Sequence, residues 1–131
     1  MWVAAGTLGA MGRQDEFTAA WRATRHDPVE RLKIARTTTD REVLAIVAPE
    51  WFDHDAALEL VHAVLGNPVC SGSIAGRYVG HRDAGVRLLL ARRSDAHDPT
   101  LQVLALDLDD DVRAAARAAL DARPVRPMHG V

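Results

Sequence analysis

DPVERLKIAR at residues 27–36 recurs as DAGVRLLLAR at 83–92 and as DDDVRAAARAAL at 109–120. Each copy has an aspartate, an arginine four residues later and then an apolar stripe with helical spacing: Asp27 and Arg31, Asp83 and Arg87, Asp109 and Arg113. The last two copies lie 26 residues apart, from Asp83 to Asp109. A pattern that recurs in this way indicates internal helical repeats.

The spacing between the aspartate and the arginine has a physical cause. An aspartate at a helix start accepts hydrogen bonds from the free N–H groups of the first turn, and its charge suits the positive end of the helix dipole. An arginine at i+4 lies one turn further along the same face, so the two side chains can pair. We therefore predict that these six residues hold the repeats together, each arginine pairing with the helix-start aspartate of its own or of the next repeat. The alternative is a row of guanidinium groups that binds an acidic partner or phosphates.

A degenerate copy lies between the first two, in DHDAALELVHAVLGNP at residues 53–68. We expect Asp53 and Asp55 to keep the helix-start signal there, while Val61 takes the place of the arginine. The first three helices are each followed by a break and a shorter apolar segment: REVLAIVA at 41–48, SGSIAGRYVG at 71–80 and TLQVLAL at 100–106. A unit of this size cannot bury its apolar face alone, so stacked units must share one core.

A further helix is predicted ahead of the repeats, over residues 15–24. Phe17, Ala20, Trp21 and Thr24 would share one face of it, because Ala20 and Trp21 follow Phe17 by three and four residues and precede Thr24 by four and three. We expect this face to cap the N-terminal end of the repeats.

The composition predicts an all-α chain. Hydrophobic residues make up 48% of the 131 residues and aromatic residues only 5%, so the core must be aliphatic. Alanine and leucine favour helices, and β-branched runs are scarce. We predict one helical repeat domain over residues 14–123, between a flexible N-terminal extension at 1–13 and a flexible tail at 124–131.

The repeats resemble a known family, the variant leucine-rich repeats, which are related to HEAT and armadillo repeats. The resemblance rests on the Asp-x-x-Val-Arg starts at Asp83 and Asp109, the break at Gly66-Asn67-Pro68 and the short leucine-rich second segments, and it covers residues 26–122. It implies a short right-handed α-α superhelix, or α-solenoid, in which helices alternate with short, often 3₁₀, helices. It also implies a binding scaffold. The iron–sulfur domain of some family members is not expected, because no cysteine precedes Cys70.

Arginines at or near helix ends are candidate partner-binding residues: Arg36, Arg77, Arg92 and Arg93. They could form a positive stripe for nucleic acid or phosphate, or they could serve only to complement helix dipoles. The net charge of −2 lacks the strongly basic footprint that general nucleic-acid binders carry. Nucleic acid is therefore the alternative partner rather than the main one.

Trp51 and Phe52 are the remaining candidate partner-binding residues. Arg31 and Val61 are 30 residues apart rather than 26, so four extra residues fall in the stretch that contains Pro49-Glu50-Trp51-Phe52. Aromatic side chains in an inserted stretch indicate a binding site, because aromatic residues anchor many interfaces. The alternative is that both rings pack onto the core.

Chemistry beyond binding has little support in the sequence. Histidines expected in loops before helices lack the spacing of a defined ligand set: His26, His54, His81 and His97. Ser71 and Ser73 have no recognisable nucleophile setting, and the neighbouring Gly72 and Gly76 suit close helix packing better than chemistry. We predict neither a catalytic site nor a metal or cofactor.

These observations predict a non-catalytic interaction module. Its expected partner is another protein or a second copy of the chain in a homodimer. The apolar N-terminal stretch lacks a basic segment and is too short to span a membrane, so we expect a cytoplasmic protein without membrane contact.

Overall fold

The computed structural model describes residues 12–53 and 55–124. Within these residues it has eight α-helices and no strand, which confirms the all-α prediction. The helices are α1 Arg13–His26, α2 Pro28–Thr37, α3 Arg41–Val47, α4 Leu58–Gly66, α5 Gly72–Ala75, α6 Ala84–Ala91, α7 Asp98–Leu104 and α8 Asp110–Asp121, and a 3₁₀ turn, Gly76–Tyr78, follows α5. The predicted flexible ends, 1–13 and 124–131, lie outside the described residues except for Gly12, Arg13 and Pro124.

The helices of the described residues form two compact units, the first ending at Cys70 and the second beginning at Ser71. In the first unit α1 packs against α2 and α3, and α2 also packs against α3 and α4. In the second unit α8 packs against α6 and α7, and α6 also contacts the 3₁₀ turn. Both cores are mainly aliphatic, as predicted, although Tyr78 is buried in the second unit. The largest fully buried side chains of the described residues are Leu44, Val47, Pro49, Val61 and Val64 in the first unit and Val86, Leu90, Leu101, Leu104 and Val112 in the second.

Aspartates begin the three helices where the repeated pattern places them. The Asp27 carboxylate accepts a hydrogen bond from the N–H of Glu30, and the Asp83 carboxylate accepts one from that of Val86. Asp109 accepts two, from the N–H groups of Asp111 and Val112. Each such cap stabilises its helix by about 1 kcal/mol, because it satisfies backbone donors that have no partner within the helix.

The start of α4 differs from the prediction. The helix begins at Leu58 after Ala57, whose side chain provides no cap, so Asp53 and Asp55 do not start it. The backbone turns before the helix instead, with the N–H of Ala56 donating to the carbonyl of Asp53. Val61, which the sequence pattern aligns with the arginines, is buried in the core of the first unit.

Asn67 joins two parts of the first unit. Its buried side-chain amide donates to the carbonyls of Ala35 and Thr38, at 2.9 and 3.0 Å, and its oxygen accepts from the N–H of Val69. The first two bonds satisfy carbonyls at the end of α2 that the helix leaves without partners. The break at Gly66-Asn67-Pro68 therefore has a defined structural role.

Gly72 permits a close approach in the second unit. A Cβ atom at this position would lie 2.4 Å from the carbonyl oxygen of Asp95 and 2.9 Å from Nε2 of His97. Ser71, the residue before it, accepts a hydrogen bond from the N–H of Ile74 and so caps α5. These contacts agree with the expected packing role of the small residues.

Candidate functional site

Arg87 is held by an ion pair within the second unit. Its Nε and Nη2 donate to the two carboxylate oxygens of Asp107, at 2.8 and 3.3 Å, and its Nη1 donates to the carbonyl of His81 at 2.6 Å. The carboxylate that pairs with Arg87 is thus Asp107 and not Asp83, whose oxygen is occupied by the cap of α6. The Arg87 and Asp107 side chains are only 17% and 11% exposed, so this pair is part of the packing.

The surroundings of Asp107 shift its acidity. Burial raises the pKa of the Asp107 carboxyl, but the hydrogen bonds from Arg87 and from the N–H of Asp109, together with the charges of Arg87 and Arg113, outweigh burial. The pKa of Asp107 therefore lies below its ordinary value.

The two copies of the sequence pattern in the second unit, which begin at Asp83 and Asp109, make equivalent hydrogen bonds. Nη1 of Arg87 donates to the carbonyl of His81, and Nη1 of Arg113 donates to the carbonyl of Asp107, each six residues earlier in the chain. The side chains of His81 and Asp107 also accept from the N–H two residues later, at Asp83 and Asp109. The carboxylate in contact with Nη2 of Arg113 is that of Asp110. The arginines thus fix the turns that lead into α6 and α8.

Arg31 has a related position in the first unit. Its Nε donates to the carbonyl of Val47 at 2.8 Å, which ties α2 to the last residue of α3. Among the six residues of the predicted repeat pairs, the aspartates cap helices and the arginines connect neighbouring segments.

Arg36 and Arg93, two candidate arginines at helix ends, each contact a carboxylate. Nη2 of Arg36 lies 2.7 Å from Glu59, and both side chains are largely exposed. Nε and Nη2 of Arg93 donate to both carboxylate oxygens of Asp95, at 2.8 and 3.0 Å. In each of these ion pairs the carboxylate neutralises the guanidinium charge that would otherwise attract a phosphate.

The candidates Arg92 and Arg77 differ from each other in exposure. Arg92 is exposed at the end of α6, and Arg77 is half-buried in the 3₁₀ turn. With Arg93, Arg92 lines an open groove of about 750 Å³ along the alanine-rich face of α8. Arg123 also lines this groove, and it contacts the Asp98 carboxylate.

Trp51 and Phe52 are exposed rather than packed onto the core. Their side chains are 69% and 59% exposed, and their rings meet edge to face with centroids 5.6 Å apart. Trp21 is also exposed, at 53%, so its predicted place on the packed face of α1 is wrong. Of the predicted face, Ala20 is buried, and the helix also buries Ala23; these small side chains let α1 approach its neighbours.

An open cavity of about 560 Å³ lies in the first unit, and we call it the aromatic cavity. Its lining comes from α1, α2, α3 and the segment after α3: Trp21, Thr24, Arg31, Ala45, Ile46, Ala48, Glu50, Phe52, Asp53 and Asp55. The cavity thus joins two exposed rings with three carboxylates. Phe52 is one of the partner-binding residues that the sequence predicts, whereas Trp21 and the carboxylates are not.

Two signals in the sequence could have located these missed residues. Asp53 and Asp55 follow Trp51-Phe52 directly in the inserted stretch, so an exposed loop would carry both the rings and the charges. Trp21 is adjacent to Ala20, and large and small residues side by side on an amphipathic helix leave two choices for the packed face.

The described residues offer neither a metal site nor a membrane-spanning helix. Among residues 12–53 and 55–124, no group of three or more His, Cys, Asp and Glu side chains is arranged to hold a metal ion. His54 lies outside these residues. None of the helices that the structure describes has the length and apolar character needed to cross a membrane.

Comparison with known proteins gives no relative from which a role could be transferred. No protein-family model, no curated protein and no solved structure matches this chain.

Proposed function

We propose that this chain is a non-catalytic interaction module that binds a protein partner, or a second copy of itself, through the aromatic cavity. The observation that carries the proposal is the exposure of Trp21, Trp51 and Phe52 in a chain with few aromatic residues. Exposed clusters of large apolar side chains mark interaction sites more often than isolated ones do. Tryptophan is also among the residues that contribute most to binding when an interface covers them.

The geometry of the rings supports binding rather than a role in folding. Trp51 and Phe52 contact each other edge to face, which limits the conformations that each ring can adopt. Less conformational entropy is lost when a partner covers side chains that are already ordered. Each ring would contribute about 2 kcal/mol or more to affinity if it lies at the centre of the interface.

The proposal is tested by comparing three forms of the chain. The wild type, the double variant Trp51→Ala/Phe52→Ala and the control Leu108→Ala are purified, and Leu108 is suitable because it is 96% exposed in the other unit. Sedimentation equilibrium reports self-association, and affinity capture from the source cells reports partners. We expect a dimer or a specific protein that the wild type and the control retain and the double variant loses. If all three forms behave alike in both assays, the proposal is wrong.

Nucleic-acid or phosphate binding is the alternative function, and Arg92 is the observation that favours it. This side chain is exposed beside the groove along α8. The carboxylates next to Arg36 and Arg93 weigh against it, because a phosphate would have to compete with them. Affinity for duplex and single-stranded DNA and RNA that falls steeply with salt, and falls further in Arg92→Ala, would support this alternative over the first.

We also propose that the chain is a variant leucine-rich or HEAT-like α-solenoid. Arg87 and Arg113 lie 26 residues apart, and each donates to the carbonyl six residues earlier in the chain. These equivalent bonds support the proposal, because a repeat architecture places equivalent bonds at equivalent positions. An experimental structure tests it. Successive helix pairs related by one constant right-handed rotation are the expected result, and unrelated orientations would rule it out.

A further inference from the structure

The aromatic cavity carries an inference about the chemistry of the partner, which rests on the proposed function. Trp21 on α1 and Phe52 on the segment after α3 line the same cavity, and both rings are more than half exposed. Aromatic faces offer apolar contact, and they also attract cations through the negative charge of the ring face.

The charges in the cavity favour a positively charged ligand. Three carboxylates line it, those of Glu50, Asp53 and Asp55, against one guanidinium among the described lining residues, that of Arg31. Nε of Arg31 donates to the carbonyl of Val47, which holds this side chain against the wall of the cavity. The lining is therefore acidic, and it would repel a phosphate or an acidic peptide.

The size of the cavity suits more than one side chain. Its volume of about 560 Å³ falls within the range of about 300–1,000 Å³ that is usual for ligand pockets. A lysine or arginine side chain has a long apolar stem and a charged end, and such side chains cover apolar surface with the stem while the end meets polar groups. The remaining space would accommodate the neighbouring residue of a peptide.

We propose that the aromatic cavity binds a lysine or arginine side chain presented by a segment of a partner protein. The stem packs between the rings of Trp21 and Phe52. The charged end approaches the carboxylates of Asp53 and Asp55. Trp51 supports the Phe52 ring from the side through the edge-to-face contact.

The test uses four blocked tripeptides that differ only at the central residue. The probes are acetyl-Leu-Lys-Leu-amide, acetyl-Leu-Arg-Leu-amide and their counterparts with central glutamine and glutamate. Each is titrated to about 10 mM into the full chain while the indole N–H signals of the tryptophans are followed by NMR, so that weak binding is still detected. The Trp21 signal is assigned from the variant Trp21→Ala.

We expect the Trp21 signal to move in a saturable way with the lysine and arginine peptides. The glutamine peptide should bind at least about threefold more weakly, because it lacks the attraction to the rings and carboxylates. The glutamate peptide should bind more weakly still. Binding of the cationic peptides should also weaken as salt rises.

Matched variants separate the charges from the rings. Asp53→Asn/Asp55→Asn should weaken binding of the lysine peptide about fivefold and reduce its salt dependence, since two charge contacts are removed. The control Asp121→Asn removes one exposed carboxylate at the end of α8 and should leave the affinity unchanged. Circular dichroism of each variant verifies that the helices are intact.

The outcomes separate this inference from the proposed function. Equal affinities for the four peptides, or no shift with any of them, would overturn the inference. The proposed function would still stand if the Trp51→Ala/Phe52→Ala variant loses a captured protein or a dimer. It would fall only if that variant behaves as the wild type does.

Discussion

At the scale of single residues, the contact between Arg87 and Asp107 gives the clearest prediction. Arg87→Ala should lower the free energy of unfolding by about 1–3 kcal/mol, because it removes the guanidinium donors of the largely buried Asp107 carboxylate and of the His81 carbonyl. Denaturant unfolding of Arg87→Ala, Asp107→Asn and the double variant measures the coupling between the two. Additive effects of the two single changes would show that the ion pair does not stabilise the fold.

The same carboxylate predicts how stability depends on pH. The pKa of Asp107 is lower in the folded chain than in the unfolded one, so its contribution is present above the unfolded value, about 3.9, and is lost as pH falls below it. Hydrogen bonds from Arg13 and Arg93 lower the pKa values of Asp40 and Asp95 in the same direction.

The free energy of unfolding should therefore decrease as the pH falls below about 4. Asp107→Asn should make this decrease shallower, whereas Asp121→Asn serves as the control for loss of an exposed carboxylate. Urea titrations between about pH 2.5 and 6 measure it, in a range that covers the acid titration of carboxyl groups. If the free energy of unfolding falls with the same slope in the wild type and in Asp107→Asn, Asp107 does not contribute to this pH dependence.

At the scale of elements, the end of α2 depends on one side chain outside the helix. Asn67→Ala should destabilise the first unit by about 1–3 kcal/mol, because the carbonyls of Ala35 and Thr38 lose the donor that satisfies them. Amide hydrogen exchange should become faster at the end of α2 and not in α8. Unchanged exchange at both helices would show that water replaces the amide without cost.

The packing of α5 gives a second prediction at this scale. Gly72→Ala should lower the free energy of unfolding by about 1–3 kcal/mol, since the added methyl group would meet the backbone carbonyl of Asp95. Gly66→Ala is the matched control, because a Cβ atom at Gly66 would meet nothing within 4 Å. Thermal unfolding of both variants measures the difference, and equal midpoints would contradict the close approach.

Local signals explain what could be predicted of the fold. The caps at Asp27, Asp83 and Asp109 depend only on residues within the first turn of each helix, so the sequence alone locates them. The partner of Arg87 could not be found in this way, because Asp107 lies 20 residues further along and reaches it only through the packing of the second unit. The same limit applies to α4, where turns in the preceding segment decide the first residue.

The candidate site was predicted only in part, for a related reason. Trp51 and Phe52 stand out in the sequence because they fall in an inserted stretch, but their exposure depends on where the loop lies. Trp21 shares its helix with Ala20 and Ala23, and the spacing alone does not decide which of them α1 buries. The cavity that joins Trp21 to Phe52 exists only in the folded unit.

At the scale of the whole molecule, the repeated pattern and the exposed rings differ in what they contribute to the fold. The aspartates and arginines of the repeated pattern cap helices and tie segments together, so they are unsuited to partner binding without loss of stability. The rings of Trp21, Trp51 and Phe52 in the first unit are exposed, so they contribute little to the packing of the core. Substitutions there should change association far more than stability.

The most direct test of the central claim is hydroxyl-radical footprinting of the chain alone and of the complex captured from its source cells. We expect Trp21, Trp51 and Phe52 to be labelled in the isolated chain and protected in the complex. Leu108, exposed in the other unit, should be labelled in both. Equal labelling of the three rings in the isolated chain and in the complex would contradict the claim that partners bind at the aromatic cavity.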